Sequence, residues 1–177
     1  VRPLIEADEV LSQSLLPVLD VRLELYRTYR ELDNRTRHLA DQDPVCQRFM
    51  TAPGVGFVTA LTYKSGVDDP MRFRRSRTVG AHFGLTSRRH QSGEVDFDGH
   101  ISRCGDAAVR TALYTAANAL LTRSSKWSSL KAWGMKVAKK RGHKKAVIAV
   151  ARKLAVILHR MWIDDTQFRW GTEVARS

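Results

Sequence analysis

Two serines, each with a glycine close behind it, stand among cations in the stretch GLTSRRHQSGEVDFDGHISRCGD, residues 84–106. Ser92 follows Arg88, Arg89 and His90 and precedes Gly93, while Ser102 is followed by Arg103 and Gly105. A hydroxyl on a flexible glycine turn ringed by cations suits attack on a phosphodiester. The basic groups hold the phosphate, and glycine lets the backbone approach it. His90 or His100 could take the serine proton, or bind phosphate instead. Ser102 has a further reading, because it lies in a turn ahead of Asp106, a residue type that starts helices. Glu94, Asp96 and Asp98 alternate, which sets them on one side of an extended segment. Their oxygens suit Mg²⁺, but exposed acids on a surface strand explain the alternation as well, and that reading is preferred. No spaced set of buried acids supports a two-metal nuclease centre. The same residues could also grip DNA without cutting it. Local chemistry leaves both readings open.

Composition narrows the partner. The 177 residues carry 30 Lys+Arg against 18 Asp+Glu, a formal net charge of +12 and a pI near 10.3. Such an excess favours a polyanion, since each phosphate neutralised releases counterions. At 43% hydrophobic the chain can bury a core. No apolar run is long enough to span a membrane, and the N-terminus has no signal-peptide pattern. Cys46 and Cys104 lie far apart, without metal-ligand spacing. They read as free thiols in a reducing cytoplasm, and zinc is not expected. The chain begins at Val1, as a processed chain or a fragment would.

Around the serine stretch the apolar periodicity predicts a mainly α-helical protein. From Leu4 to Leu39 a seam steps by four and three through Leu11, Leu15, Val18, Leu25 and Leu32. It reads as a long helical, coiled-coil-like arm over 1–43, with Pro17 expected to kink it or divide it in two. Asp41, Asp43 and Pro44 mark its end. A compact helical domain is expected over 44–165 and a loose tail over 166–177. Residues 45–65 place two short helices around Pro53-Gly54-Val55-Gly56, in the manner of a helix-hairpin-helix. Gly54 and Gly56 would allow the tight turn, and amides at the start of the second helix would bind a DNA phosphate without reading sequence. An ordinary glycine-rich connection is the alternative.

In MRFRRSRTVGAHFG, Phe73, Val79 and Phe83 are expected to face the core, leaving Arg72, Arg74, Arg75 and Arg77 to contact DNA. Helices are predicted over 106–122, 126–140 and 144–162, the last with Val147, Ala151, Leu154, Leu158 and Met161 on one face. Between the last two, Lys139, Lys140, Arg141, Lys144 and Lys145 form a basic patch for nucleic acid.

Three segments in order, APGVGFVTA (52–60), RFRRSRTVGAHFGLTSRRHQSG (72–93) and GHISRCGDAAVRTALYTAA (99–117), carry a resemblance. They resemble the C-terminal transposase domain of the DEDD-plus-serine insertion-sequence transposases, bridge-RNA-guided recombinases related to the pilin-gene invertase. The resemblance covers roughly residues 45–160, and the N-terminal seam resembles that family's coiled-coil connector. It implies a cytoplasmic, nucleoid-associated bacterial enzyme that exchanges DNA strands through a covalent serine–DNA intermediate.

The family's serine lies in an arginine-rich run ending in Ser-Gly, which matches Ser92, with Ser102 as fallback or support. Arg88 and Arg89 would stabilise charge on the attacked phosphate. Gly99, Ser102, Arg103 and Gly105 would form a helix-start turn. The resemblance further implies a structured guide RNA, homo-oligomers through the helical arm, and Mg²⁺ held by four acids of a ribonuclease-H-like domain. That domain is not in this chain, so no metal site is expected here, and the chain alone should bind nucleic acid without recombining it. A non-catalytic helix-hairpin-helix module that holds DNA backbone is the rival expectation.

Overall fold

Two aspartates decide where the first helices begin. Asp8 accepts the Val10 and Leu11 amides at 3.0 and 3.1 Å, and so divides a short α1 (Arg2–Glu6) from the long α2 (Glu9–Gln42). The interruption therefore falls at 7–8. At Pro17, where a kink or a division was expected, α2 continues unbroken. Pro17 removes one amide donor, and the carbonyl it would have bonded belongs to the exposed Gln13, open to water. The computed structural model describes residues 2–92 and 95–171, with only the backbone described at 6, 89–92 and 95–98. The chain forms two units, residues 1–39 and 40–177. In the first, Leu11, Leu15, Val18, Leu25, Leu32 and Leu39 are all exposed.

The second unit holds the core. Asp43 caps α3 (Pro44–Met50), accepting the Val45 and Cys46 amides at 2.9 and 3.2 Å, and it pairs with Lys64 of α4 (Phe57–Val67). Two 3₁₀ turns (Pro70–Arg72 and Ser76–Thr78) lead into α5 (Val79–His82). Then come an antiparallel hairpin of β1 (Ser87–Ser92) and β2 (Val95–Ile101), and the helices α6 (Ala107–Thr122), α7 (Ser129–Arg141) and α8 (His143–Ile163). The unit is thus mainly α, and the stretch around Ser92, read from the sequence as a flexible glycine turn, lies in paired antiparallel strands.

Helix α8 lies against α3, α5, α6 and α7. It buries Val147, Ala151, Leu154, Leu158 and Met161, the face read from the sequence. Tyr63 of α4 is fully buried, and its hydroxyl donates to the Ala155 carbonyl of α8 at 2.6 Å. The Phe49 ring stands edge-on to Tyr63 and Trp162, with centroids 5.4 and 5.6 Å apart. Burial, with the nearby Asp43 charge, pushes the Cys46 thiol up to about 11. In α6 the buried row is Val109, Leu113, Ala116, Ala117, Leu120 and Leu121, while Ala108 is exposed. Within the expected tail, Phe168 is buried and its amide donates to Thr51 Oγ1 at 2.9 Å.

Two predictions follow from these contacts. Gly54 has φ +81°, and a Cβ there would stand 2.2 Å from the Ala116 carbonyl oxygen. Gly142 has φ +84° but faces open space. Gly54→Ala should therefore cost at least about 2 kcal/mol in urea unfolding, and Gly142→Ala only about 1 kcal/mol. The second concerns acid. Burial works to raise the Asp43 carboxyl, but the Lys64 hydrogen bond, the Cys46 and Val45 amides and the Lys64 charge outweigh it, holding it below 3.8. A lowered folded-state pKa contributes stability above the unfolded pKa, and loses it as pH falls through the folded value. Asp43→Asn should be about 1 kcal/mol less stable at pH 7, with the difference vanishing as pH drops below about 4.

Candidate nucleic-acid interface

The hairpin is built outward from a fixed base. Its register pairs Ser87 with Ile101 and Ser92 with Val95, with an irregularity between Ser87 and Arg89. Below the strands, the Ser102 amide donates to the Thr86 carbonyl at 2.8 Å and the Arg103 amide to the Gly84 carbonyl at 3.2 Å. Arg110 of α6 then bonds both chain ends: its guanidinium donates to the carbonyls of Phe83 and Cys104 at 3.2 and 3.0 Å. Asp106 caps α6 through the Ala108 and Val109 amides at 2.6 and 3.2 Å, so β2 runs through a short turn into a buried helix. A helix thus starts where one was expected, just after Gly99, Ser102, Arg103 and Gly105. Arg103 takes φ +56° in this turn.

The two serines end up far apart. Ser92 is the last residue of β1, five residues beyond Ser87, or about 17 Å at strand rise. Ser102 sits at the base, half-buried, with its Oγ 3.5 Å from the Cys104 amide. One reaction centre cannot use both. Arg88 belongs to the base as well, donating to the Ser102 carbonyl at 3.1 Å across the hairpin. The backbones of Arg89 and His90 pair with Asp98 and Phe97. The expected sites at Gly93 and Glu94 lie outside the described residues. Among the described residues, no group of three or more His, Cys, Asp or Glu is arranged to hold a metal ion.

The arginine-rich run is anchored by a histidine that sequence reasoning missed. His159 of α8 is fully buried. Its Nε2 lies 2.9 Å from the Pro70 carbonyl, which can only accept, so Nε2 carries the proton. Nδ1 then accepts from the Ser76 hydroxyl at 3.0 Å. The Phe73 ring, half-buried, stands edge-on to His159 with centroids 5.5 Å apart. Arg72, Arg74, Arg75 and Arg77 are left exposed around this anchor, while Val79 and Phe83 are buried. The only sequence signal was a histidine on the apolar face of α8.

The basic patch at 139–145 divides. Arg141 and Lys145 line a groove of about 790 Å³; Lys139, Lys140 and Lys144 are exposed but do not line it. Around the glycine turn, α3 and α4 are joined by Thr51–Gly56, and Gly56 caps α4 without a side chain. A second depression of about 450 Å³ there includes Gly54, Gly56, Arg123 and Lys126. Gly54 and Gly56 therefore meet two cations from beyond α6.

Removing the clamp on the hairpin should be measurable. Arg110→Ala should speed hydrogen exchange at the Ser102 and Arg103 amides about tenfold, the equivalent of one charge-assisted bond, and leave buried α8 amides unchanged.

Part of this chain is similar in sequence to known proteins. Residues 46–132 match the model of the Transposase IS116/IS110/IS902 family. The transposase for insertion sequence element IS1111A of Coxiella burnetii is 33% identical over 154 residues, covering 81% of this chain and 42% of that protein. The transposase for insertion sequence element IS1328 of Yersinia enterocolitica is 34% identical over 139 residues, covering 78% and 40%. A probable family 20 transposase of Pseudomonas aeruginosa is 28% identical over 163 residues, covering 88% and 48%. The chain thus spans less than half the length of these relatives. The matched segment begins at Cys46 in α3 and runs through the glycine turn, the arginine run, the hairpin and α6 into α7. Residues 46–132 are accordingly a domain of the IS116/IS110/IS902 transposase family.

Proposed function

We propose that this chain is the serine-bearing part of an insertion-sequence DNA transposase, and that Ser92 is its nucleophile. The observation that carries this reading is the position of Ser92 at the far end of a hairpin held at its base by Arg110. A nucleophile must reach its target phosphate while its support stays still. In the reaction, Ser92 Oγ bonds to phosphorus as the bond to the leaving sugar oxygen breaks, and the serine proton ends on that oxygen. The released hydroxyl, or another strand's hydroxyl, reverses the step, so the phosphodiester energy is kept for rejoining. Arg89 and His90, just before Ser92, would hold the phosphate. Ser102 and Arg88 support the hairpin base.

In this reading the Mg²⁺ implied by the family resemblance would be held by acids outside this chain. Pairing of the exposed α2 seam with another helix, and a structured guide RNA, belong to the same reading. So does a place in the cytoplasm near the nucleoid. Among the described residues, no helix is long and apolar enough to cross a membrane. A second reading, a DNA-holding module without chemistry, draws support from the glycine turn beside Arg123 and Lys126.

Covalent trapping separates them. The transposase containing this chain is incubated with labelled nicked DNA and Mg²⁺ and run on a denaturing gel. A DNA-linked band is expected, lost in Ser92→Ala and kept in Ser102→Ala, with duplex affinity changed less than about twofold. A band that survives Ser92→Ala would remove the assignment.

A further inference from the structure

Helix α8 has a second working face. Opposite its buried row, Arg141 just before it, and Lys145, Arg152 and Arg160 along it, recur near helical spacing and are exposed. They line one wall of the 790 Å³ groove, whose floor includes the half-buried Trp133, Val137, Ile148 and Val156. Arg77, from the His159-anchored run, closes one side, and Ser87, Gly99 and His100 at the hairpin base close the other. No carboxylate is among the described residues lining it. Lys153 Nζ stands 3.8 Å from the Trp133 ring centroid and adds its charge to the floor's edge.

We propose that this groove binds a short run of unpaired DNA, with bases against the apolar floor and phosphates on the cationic wall. The inference rests on the strand-exchange reading above. One feature favours a single strand. A duplex keeps its bases stacked inward and presents only phosphates, which leaves an apolar floor with an aromatic ring unused; a single strand uses both. Its position at the hairpin base supplies the source, because a strand broken near the hairpin end is transiently unpaired.

The test measures binding of a labelled twelve-nucleotide oligo-dT, a blunt twelve-base-pair duplex and oligo-U by fluorescence anisotropy. Lys145→Glu with Arg152→Glu is compared with Lys139→Glu with Lys140→Glu, which removes the same charge outside the groove. Arg141→Glu, at the exposed helix junction, serves as a second groove variant, and thermal melts confirm folding. The groove pair should weaken oligo-dT binding at least tenfold and the control pair no more than threefold. Arg141→Glu should weaken it by several-fold, and duplex binding should respond equally to both pairs. Equal losses of oligo-dT from both pairs would overturn the groove in favour of diffuse charge. Oligo-U bound tenfold tighter than oligo-dT would overturn DNA as the occupant. Ser92→Ala leaves this binding unchanged, so loss of strand transfer in that variant with equal losses here would sink the groove and spare the transposase reading.

Discussion

The second unit depends on one helix being buried along one side. Helix α8 removes Val147, Val150, Leu154 and Leu158 from water, and α3, α5, α6 and α7 supply the surfaces that cover them. Because burial is proportional to area and not directional, such a face alone would tolerate sliding of its neighbours. Directional bonds remove that freedom. Tyr63 to the Ala155 carbonyl fixes α4 against α8, and His159 to Pro70 and Ser76 fixes the arginine run one turn further along. The Tyr63 hydroxyl and the His159 ring are themselves buried, where leaving either without its partner would cost its full desolvation. Neighbouring turns of one helix thereby set the register of two otherwise separate segments.

That arrangement explains how a charged surface and a dense core share the same elements. Buried residues of α8 repeat at three and four, and the cations repeat at similar intervals on the other side. Helix α8 thus presents cations to solvent without giving up packing. The hairpin follows the same economy. Arg110 and the Asp106 cap tie its base to α6. A two-stranded ribbon is marginal by itself in water. Anchoring at one end leaves the other end able to meet a large substrate.

Much was legible from sequence, and the failures have physical reasons. The apolar face of α8 showed in the period of its residues, and Asp43-Pro44 marked the boundary at which α3 begins, because capping and periodicity are local. The hairpin was not recognised, since Ser87–Ser92 is polar throughout and lacks the alternating apolar pattern that signals a half-buried strand. Pro17 misled for a related reason. A proline costs a helix its amide bond, but on an exposed arm water can take the orphan carbonyl. The Asp8 cap was the stronger signal, and it was overlooked.

The sequence by itself determined a basic, mainly helical protein with a glycine turn, an arginine run and a serine among cations, because charge, periodicity and turn chemistry are carried by near neighbours. Tertiary structure alone decided which of these groups meet. Ser92 and Ser102 are ten residues apart in the chain, yet strand pairing sends one to the hairpin end and keeps the other at its base. Arg77, His100 and Arg152 are far apart in sequence and line one groove. Such meetings come from side chains packing across elements, and spacing along the chain does not encode them.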